Sequence, residues 1–268
     1  MNVAEAWNGP LGAHWAAHPD RYDAMLGGFD AALFEAAGIR AGERVVDIGC
    51  GSGHTARTAA LRAPGVEVSG VDLSEPLLDA ARALTDADRF PRVTYRLADA
   101  QTCAFEPGAY DLALSRGGVM FFADPVAAFT NIAGALRPGG RLVFLCPRPA
   151  PVEGEESRTL RTLSALLGRE HPGGNPVAEA MASLSEPDRV RAVLGASGFA
   201  DITVRGVDAR TWWGKDAADA VAFHLSRTHG LAVSEATEAA MEEVFRPYES
   251  PHGVLLRAGV WVVTAHRP

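Results

Sequence analysis

The chain has 268 residues, 47% hydrophobic and 22% charged, a composition typical of a globular protein with one large domain. Its formal net charge of -8 argues against non-specific nucleic-acid binding, which needs a basic face, although a small basic patch would remain compatible with it. The first thirty residues carry no long apolar run, and no stretch approaches the ~20 apolar residues of a membrane span. We therefore expect no signal peptide, no membrane segment and a cytoplasmic location.

Three cysteines, Cys50, Cys103 and Cys146, are far apart and odd in number. Neither a disulfide framework nor a zinc site is indicated by that spacing. We expect all three to be reduced and to act as small apolar side chains.

Residues 1–40 precede the predicted core and form a predicted N-terminal helical cap. Helical apolar spacing is present at Tyr22, Met25, Leu26, Phe29, Leu33 and Phe34. Gly38 is a plausible helix C-cap. The segment either covers the edge of a sheet or closes over a bound ligand. In the second case the contacting side chains would be Trp7, Trp15, Tyr22 and Met25.

A glycine-rich turn follows the first predicted strand, with Gly49, Gly51 and Gly53 at alternate positions. A strand, a glycine-rich turn and a helix are the parts of a nucleotide-binding βα unit. The third glycine comes one residue earlier than in the dinucleotide fingerprint, and His54 holds that place. Asp47, inside the strand end, would repel a pyrophosphate but favour a ligand that carries an ammonium and a sulfonium.

Strands and helices then alternate along the chain. Strands are predicted at 44–48, 67–72, 93–97, 110–115 and 141–146, and helices at 54–62, 75–84 and 125–136. Ser74 and Asp124 are the predicted caps of the second and third of these helices. Repeated βα units predict a doubly wound parallel sheet whose ligands bind beyond the carboxyl ends of the strands.

Residues just after those strands are therefore the informative ones. Asp72 ends the second strand about 20 residues after the glycine turn, where an acidic side chain can bind both ribose hydroxyls. Asp99, Ala100 and Gln101 follow the third strand, and Ser115 and Arg116 end the fourth. Taken alone, Asp72 favours a nucleoside but does not separate S-adenosylmethionine from NAD.

The stretch V-V-D-I-G-C-G-S-G resembles motif I of class I S-adenosylmethionine (SAM)-dependent methyltransferases, the group that includes ubiquinone/menaquinone-type and natural-product tailoring enzymes. D-A-Q resembles the adenine-binding turn of that family, and N-I-A-G-A-L-R-P-G-G-R-L-V-F its approach to the fifth strand. The resemblance spans about 100 residues. It implies a Rossmann-like, mostly parallel seven-stranded sheet with helices on both faces and an antiparallel last strand. It implies SAM as cofactor, with S-adenosylhomocysteine (SAH) as product, and no metal. It places the cofactor contacts at Asp47, Gly49, Cys50, Gly51, Gly53, Asp72, Leu73, Asp99, Ala100, Gln101 and Ser115.

The methyltransferase domain is predicted to span 41–268, with an insertion at about 147–184 that lies over the active-site mouth. Substrate recognition commonly lies in such loops, although a dimer contact would fit equally well. The insertion contains a predicted helix at 159–168. A helix at 185–196, a strand at 202–208, helices at 217–229 and 234–246 and a last strand at 254–266 follow.

Several residues are hypotheses for the methyl acceptor. Arg116 could bind a substrate carboxylate or phosphate, or instead pair with a structural acid. Phe121, Phe122, Trp212 and Trp213 could line an apolar pocket, although core packing is the more common location of such side chains. A general base is needed only if the nucleophile must lose a proton, and His171 and His224 are the candidates.

We therefore predict methyl transfer from SAM to oxygen, nitrogen or carbon of a small molecule, in bacterial secondary or quinone-type metabolism. A NAD(P)-dependent oxidoreductase is disfavoured by the glycine spacing, by Asp47 and by the D-A-Q turn. A SAM-binding protein without methyl transfer, either cyclase-like or regulatory, remains open because the motifs indicate binding rather than turnover. The expected partner is a small-molecule substrate, without nucleic acid or membrane, and the chain would be a monomer or homodimer.

Overall fold

The structure is a computed structural model that describes residues 3–149, 154–168, 176–228 and 231–268. Its helices are α1 (Val3–Trp7), α2 (Pro10–Ala17), α3 (Pro19–Leu26), α4 (Asp30–Ala37), α5 (His54–Ala60), α6 (Glu75–Leu84), α7 (Pro125–Ala135), α8 (Glu155–Leu166), α9 (Pro176–Ala182), α10 (Pro187–Ala196), α11 (Ala217–Ser226) and α12 (Glu235–Phe245). Its strands are β1 (Arg44–Ile48), β2 (Glu67–Asp72), β3 (Val93–Leu97), β4 (Tyr110–Arg116), β5 (Leu136–Pro147), β6 (Ala200–Gly214), β7 (Glu249–Ser250) and β8 (Gly253–His266). Short 3₁₀ turns lie at Gly27–Phe29, Val119–Phe121 and Arg246–Tyr248.

The strands of the described residues form one sheet in the order β3-β2-β1-β4-β5-β8-β6, with β7 added to β8. The first five strands are parallel, and β8 is antiparallel to both β5 and β6. This confirms the predicted doubly wound sheet with its antiparallel last strand. The strand order reverses between β1 and β4, and in such sheets a ligand binds beyond the carboxyl ends at that point.

Helices cover both faces of the sheet. On one face α7 and α10 pack against it, and the buried residues there include Phe129, Ile132, Val190, Leu194 and Phe144. On the other face α4 and α5 pack against it, and the buried residues include Leu33, Phe34, Ala56, Leu112 and Val143. Because the central strands are buried on both faces, they consist of continuous apolar runs rather than alternating ones.

β6 is longer than the predicted strand at 202–208, and it contains Trp212 and Trp213. It pairs with β8 from Ala200 to Gly214, whereas β5 ends its own pairing with β8 at Pro147 opposite Val260. The predicted strand was too short because Asp208 and Arg210 interrupt its apolar pattern. The observed length of β6 is set by its pairing with the long strand β8. The β6–β8 pair therefore extends beyond the carboxyl edge of the sheet.

A third apolar cluster covers this extension. It contains Tyr22 and Met25 of α3, Leu163 of α8, Phe223 of α11, Phe245 of α12 and Trp213 of β6. The helix predicted at 159–168 begins earlier, at Glu155. No helix in the described ranges is long and apolar enough to cross a membrane.

Two of three predicted helix caps are present. Gly38 ends α4 in the left-handed region with a φ of 51°, and the Asp124 carboxylate accepts from the backbone N–H of Ala127 at the start of α7. The predicted Ser74 cap is wrong in one respect. Ser74 occupies the N-cap position of α6, but its hydroxyl donates to the Trp7 carbonyl instead.

Candidate active site

The glycine turn connects β1 to α5 at the carboxyl edge of the sheet. The backbone N–H of Gly49 donates to the Val71 carbonyl at 2.8 Å, which ties the turn to β2. Gly53 has a φ of 81°, and a Cβ at this position would lie 2.2 Å from the hydroxyl of Tyr95. Cys50 is buried in the same turn as a free thiol. The turn therefore has no room for a side chain at its third glycine.

Asp47 lies beneath the turn and is completely buried. Neither of its carboxylate oxygens has a hydrogen-bond partner among the residues that the structure describes. Burial raises the pKa of Asp47 to about 7, and the charge of Asp72 adds to this rise while Arg116 and His54 oppose it. A buried carboxylate without a partner is costly, so this position fits a cationic group supplied by a ligand.

Asp72 ends β2 beside the turn. Its two carboxylate oxygens accept from the backbone N–H groups of Gly51 and Ser74, each at 2.8 Å. Burial raises the pKa of Asp72, and these backbone hydrogen bonds act against the rise. Each oxygen retains a free lone pair, because a carboxylate accepts up to about four hydrogen bonds. The carboxylate is thus held in place and can still accept from a ligand's hydroxyls, with Leu73 next to it.

The turn after β3 is held from two directions. The exposed Asp99 carboxylate accepts from the Gln101 backbone N–H at 2.8 Å, and the Gln101 side chain accepts from the Asp124 backbone N–H at 2.9 Å. Asn131 of α7 donates to the carbonyl of the buried Ala100 at 2.9 Å. Ala98 pairs with Asp72 through the backbone, so this turn is adjacent to the end of β2.

The N-terminal helices contact the cofactor edge directly. The side chain of Asn8 donates to the Leu73 carbonyl at 2.9 Å and accepts from the Glu75 backbone N–H at 3.2 Å. The Trp7 ring lies 5.2 Å from Phe121 and 5.6 Å from Trp15, edge to face in both pairs. Residues 3–17 thus lie over the turn that follows β2.

Arg116, at the end of β4, pairs with two carboxylates of the cap. Its guanidinium donates to Asp23 of α3 and, at 3.2 Å, to Asp30 of α4. His54, the first residue of α5, contacts the same acids, with Nε2 2.7 Å from Asp30 and Nδ1 3.4 Å from Asp23. We call these four side chains the charge network. Of the two roles considered for Arg116, the structure shows the pairing with structural acids, and the guanidinium is not left open for an anionic substrate.

The charge network shifts the pKa values of its members. Hydrogen bonds to Asp23 and Asp30 raise the pKa of His54 to about 8, against the effects of burial and of the Arg116 charge. Burial alone would raise the pKa of Asp23, but His54 and Arg116 hold it below its usual value. Asp23 and His54 therefore favour their charged forms near neutral pH, and the network links α3 and α4 to the glycine turn.

Ser115 and Gly118 shape the end of β4. The buried hydroxyl of Ser115 accepts from the Gly118 backbone N–H at 3.1 Å. A Cβ on Gly118 would lie 2.8 Å from the Gly49 Cα and 2.8 Å from the Ile48 carbonyl oxygen. The two turns that flank the switch point thus touch through their backbones.

The predicted substrate aromatics do not form one cluster. Phe121 and Phe122 pack against the core that contains Phe129, whereas Trp213 is buried in the cluster above β6. Trp212 is half-buried, and its indole N–H donates to the His252 carbonyl at 3.1 Å. Phe121 contacts Trp7 of α1, whereas the Trp212 ring lies 4.9 Å from the Arg21 guanidinium of α3. Trp213 and Phe122 have the core location that is more common for such side chains.

Of the two candidate bases, His224 alone falls within the described residues. His224 is half-buried in α11 with its ring 6.4 Å from that of Trp213. His171 lies outside the described residues. Within the described ranges, no three His, Cys, Asp or Glu side chains group in a way that could hold a metal ion.

Sequence reasoning missed Asn8, Asp23, Asp30, Tyr95 and Asn131. Asp23 and Asp30 are seven residues apart, which places two carboxylates on one face of a helical segment, and this pattern could have identified them. Asn8 carried no such signal, because its partners just after β2, Leu73 and Glu75, are 65 and 67 residues away in the chain.

The site fits the groups of SAM. Asp47 offers an unpaired buried carboxylate for an ammonium. Asp72 offers a fixed carboxylate for ribose hydroxyls, and the turn at Asp99–Gln101 offers backbone and carboxylate groups near the same edge. The turn between β1 and α5 lets a ligand approach the backbone closely.

Comparison with known proteins gives consistent results. The family model for a methyltransferase domain matches residues 46–144. Demethylmenaquinone methyltransferase of Thermus thermophilus is 32% identical over 168 residues, which cover 60% of this chain and 76% of that protein. Nocamycin O-methyltransferase of Saccharothrix syringae is also 32% identical, over 62% of this chain and 57% of that protein.

A similar fold is found in phosphoethanolamine N-methyltransferase 2 of Haemonchus contortus in complex with S-adenosyl-L-methionine. The TM-score is 0.61 at 20% identity, and the match covers 98% of this chain and 59% of that one. At this identity the similarity shows the fold alone.

Proposed function

Because the chain belongs to the class I SAM-dependent methyltransferases, we propose that it transfers the methyl group of SAM to a small organic acceptor. The observation that carries the proposal is the fully buried carboxylate of Asp47 beneath the glycine turn, whose oxygens have no hydrogen-bond partner in the part of the chain that the structure describes, with the Asp72 carboxylate beside it. The similar proteins of Thermus and Saccharothrix are named for small-molecule substrates, and the net charge of -8 disfavours a nucleic-acid acceptor.

The roles of the cofactor residues follow from their placement. Asp47 would bind the ammonium of the methionine part, and Asp72 would accept from both ribose hydroxyls. Asp99 and the Ala100 backbone would face the adenine, while Gly49, Cys50, Gly51 and Gly53 let the ligand lie against the backbone. Leu73, Gln101 and Ser115 would complete the contacts, either directly or by holding these turns.

Bound SAM supplies an activated methyl group that leaves its sulfonium by in-line displacement. The protein then has to align the acceptor with that methyl group and exclude water. The cap supports both tasks, since Asn8 fixes it to the β2 turn and the charge network fixes it to α5 and β4. A base is required only for an acceptor that must lose a proton.

Thermal unfolding with SAH, SAM, NADH or buffer alone tests the cofactor. A ligand at about 100 times its dissociation constant adds about 2.7 kcal/mol, which raises the midpoint by several degrees for a chain of this size. We expect a shift with SAH and SAM only. A shift with NADH alone would contradict the methyltransferase function.

Product analysis tests the reaction. With SAM that carries a deuterated methyl group, a methyltransferase yields an acceptor product that contains the label, as detected by mass spectrometry. Conversion of an acceptor without uptake of label would instead indicate the cyclase-like use of SAM.

A further inference from the structure

A group of polar side chains lies above the carboxyl end of β6, away from the predicted cofactor contacts. Glu156 is in the first turn of α8, and its Oε1 accepts from the Thr211 hydroxyl at 3.3 Å. Thr159 follows three positions later on the same face of the helix. β6 runs parallel to β5, so these residues stand on the same side of the sheet as the glycine turn.

The hydroxyl of Thr159 is unpaired. Threonine in a helix usually donates to the carbonyl four positions earlier, as Thr162 does to Arg158 at 2.9 Å and Thr130 does to Val126 at 2.7 Å. Thr159 is 1% exposed, and its oxygen has no partner among the described residues. A buried unpaired hydroxyl is costly and unusual, which indicates a partner that binds from outside the chain.

The carboxylate of Glu156 also has capacity left. Thr211 has a single hydroxyl hydrogen, and the Leu256 carbonyl at 3.0 Å competes for it with Glu156. The Thr211 oxygen already accepts from the Trp213 indole at 3.1 Å. As a residue, Glu156 is half-buried rather than fully buried.

Charge and shape around these groups restrict the ligand. Burial raises the pKa of Glu156, while Thr211 and the charge of Arg227 oppose that rise. The Arg227 guanidinium lies 5.7 Å from the Trp213 ring and 6.0 Å from the Tyr22 ring. Because Arg227 balances the charge of Glu156, a ligand with its own charge would be desolvated without compensation.

We propose that Glu156, Thr159 and Thr211 form a recognition site for the methyl acceptor, which is a neutral organic molecule with a hydroxyl group. The acceptor hydroxyl donates to Glu156 and accepts from Thr159. This inference rests on the proposed function and adds the substrate class. Glu156 and Thr159 act here as positioning residues for the acceptor.

Calorimetric titration of the full chain tests the site, both with and without saturating SAH. The probes are a naphthol, the corresponding methoxynaphthalene and the corresponding naphthoate, which share one body and differ in the polar group. We expect the naphthol to bind about tenfold more tightly than the other two probes, because one or two additional hydrogen bonds contribute about this much affinity. Thr159→Val should remove that preference and Glu156→Gln should reduce it.

Thr162→Val is the matched control, because Thr162 lies on the same helix, is exposed and bonds its own backbone. It should keep the naphthol preference. Thr159→Val should also raise the unfolding midpoint of the free protein, since it removes a buried unpaired hydroxyl, and this shows that the variant folds.

Equal binding of the three probes, binding of none of them, or a preference that persists in Thr159→Val would overturn the recognition site. SAH affinity is recorded in the same titrations and should be the same in every variant. If the wild-type chain does not bind SAH in these titrations, that result contradicts the proposed function rather than the recognition site.

Discussion

Asp47 is a fully buried carboxyl group whose ionisation costs stability in the free protein. Its folded pKa of about 7 lies above its value of about 3.8 in an unfolded chain, so its ionisation disfavours the folded state. The stability of the free protein should therefore fall as pH rises between these two values. A cationic ligand group would remove the cost by pairing with the carboxylate.

Asp47→Asn should be more stable than wild type by about 1–3 kcal/mol at about pH 8 without ligand, because a neutral amide costs less to bury than a charge. The same variant should lose its thermal stabilisation by SAH. Asp111→Asn is the control, and it should be less stable than wild type. Burial would raise the pKa of Asp111, but its hydrogen bonds to Arg137 and to the Arg44 backbone lower it, so its charged form stabilises the folded state. If Asp47→Asn is less stable than wild type at this pH, the carboxylate has a structural partner.

His54 gives the stability of the folded protein a second dependence on pH. Its folded pKa of about 8 lies above the usual 6.5, so its contribution is fully present below about pH 6.5 and is lost as pH rises through about 8. His54 contacts the carboxylates of Asp23 and Asp30 directly, and Arg116 pairs with Asp23 in the same network. The Asp47 carboxyl lies near Arg116 and feels its charge.

His54→Asn should cost about 1–2 kcal/mol near pH 6 and much less near pH 9, as measured by urea unfolding at both pH values. His252→Asn, in an exposed turn, should show no such difference. An equal loss at both pH values would mean that His54 acts through packing rather than through charge.

At the scale of elements, the contact between the β1 turn and the β4 turn positions the cofactor edge. Gly118 has no room for a Cβ, because Gly49 and Ile48 lie within 2.8 Å of where it would be. Its φ of -95° is accessible to any residue, so the restriction is purely steric. Gly134 in α7 has nothing within 4 Å of the same position.

Gly118→Ala should destabilise the protein by about 2 kcal/mol or more and weaken SAH binding, since the backbones must separate. Gly134→Ala should instead stabilise it by about 0.5–1 kcal/mol, because alanine favours the helix. Thermal unfolding and SAH titration of both variants check this pair. Equal behaviour of the two would contradict a tight contact between the turns.

At the scale of the whole molecule, the N-terminal helices divide into two parts with different roles. α3, α4 and the turn between them bury Tyr22, Met25, Phe29, Leu33 and Phe34 in the cores. α1 and α2 bury only Ala6 and Gly12 and contact the cofactor edge through Asn8 and Trp7.

Deletion of residues 1–17 should therefore lower the unfolding midpoint by only several degrees but weaken SAH binding about tenfold or more. Deletion of residues 1–38 should prevent stable folding, because it removes Phe29, Leu33 and Phe34 from the core. Circular dichroism and calorimetry distinguish the two outcomes. A short deletion that binds SAH as wild type does would show that α1 and α2 do not cap the cofactor.

The central sheet and the cofactor turns could be predicted because their signals are local. The bounds of β1, β2, β3 and α6 agree with the predicted ones. Asp47 and Asp72 lie in the ends of β1 and β2 and Asp99 follows β3, and the parallel pairing of these strands brings their ends together. Periodicity, a glycine-rich turn and the rule that ligands bind at carboxyl ends were sufficient for this part.

Tertiary structure alone decided which of the remaining polar groups meet. Arg116 could have bound a substrate anion, but the fold places Asp23 and Asp30 against it. Asn8 reaches Leu73, and Glu156 reaches Thr211, across separations of 65 and 55 residues. Periodicity and turn chemistry depend on neighbours in the chain, so the sequence by itself determined the alternating strands and helices and the position of the glycine-rich turn. The strand order, the contacts of Asn8, the pairing of Arg116 and the Glu156–Thr211 contact depend on how distant elements pack.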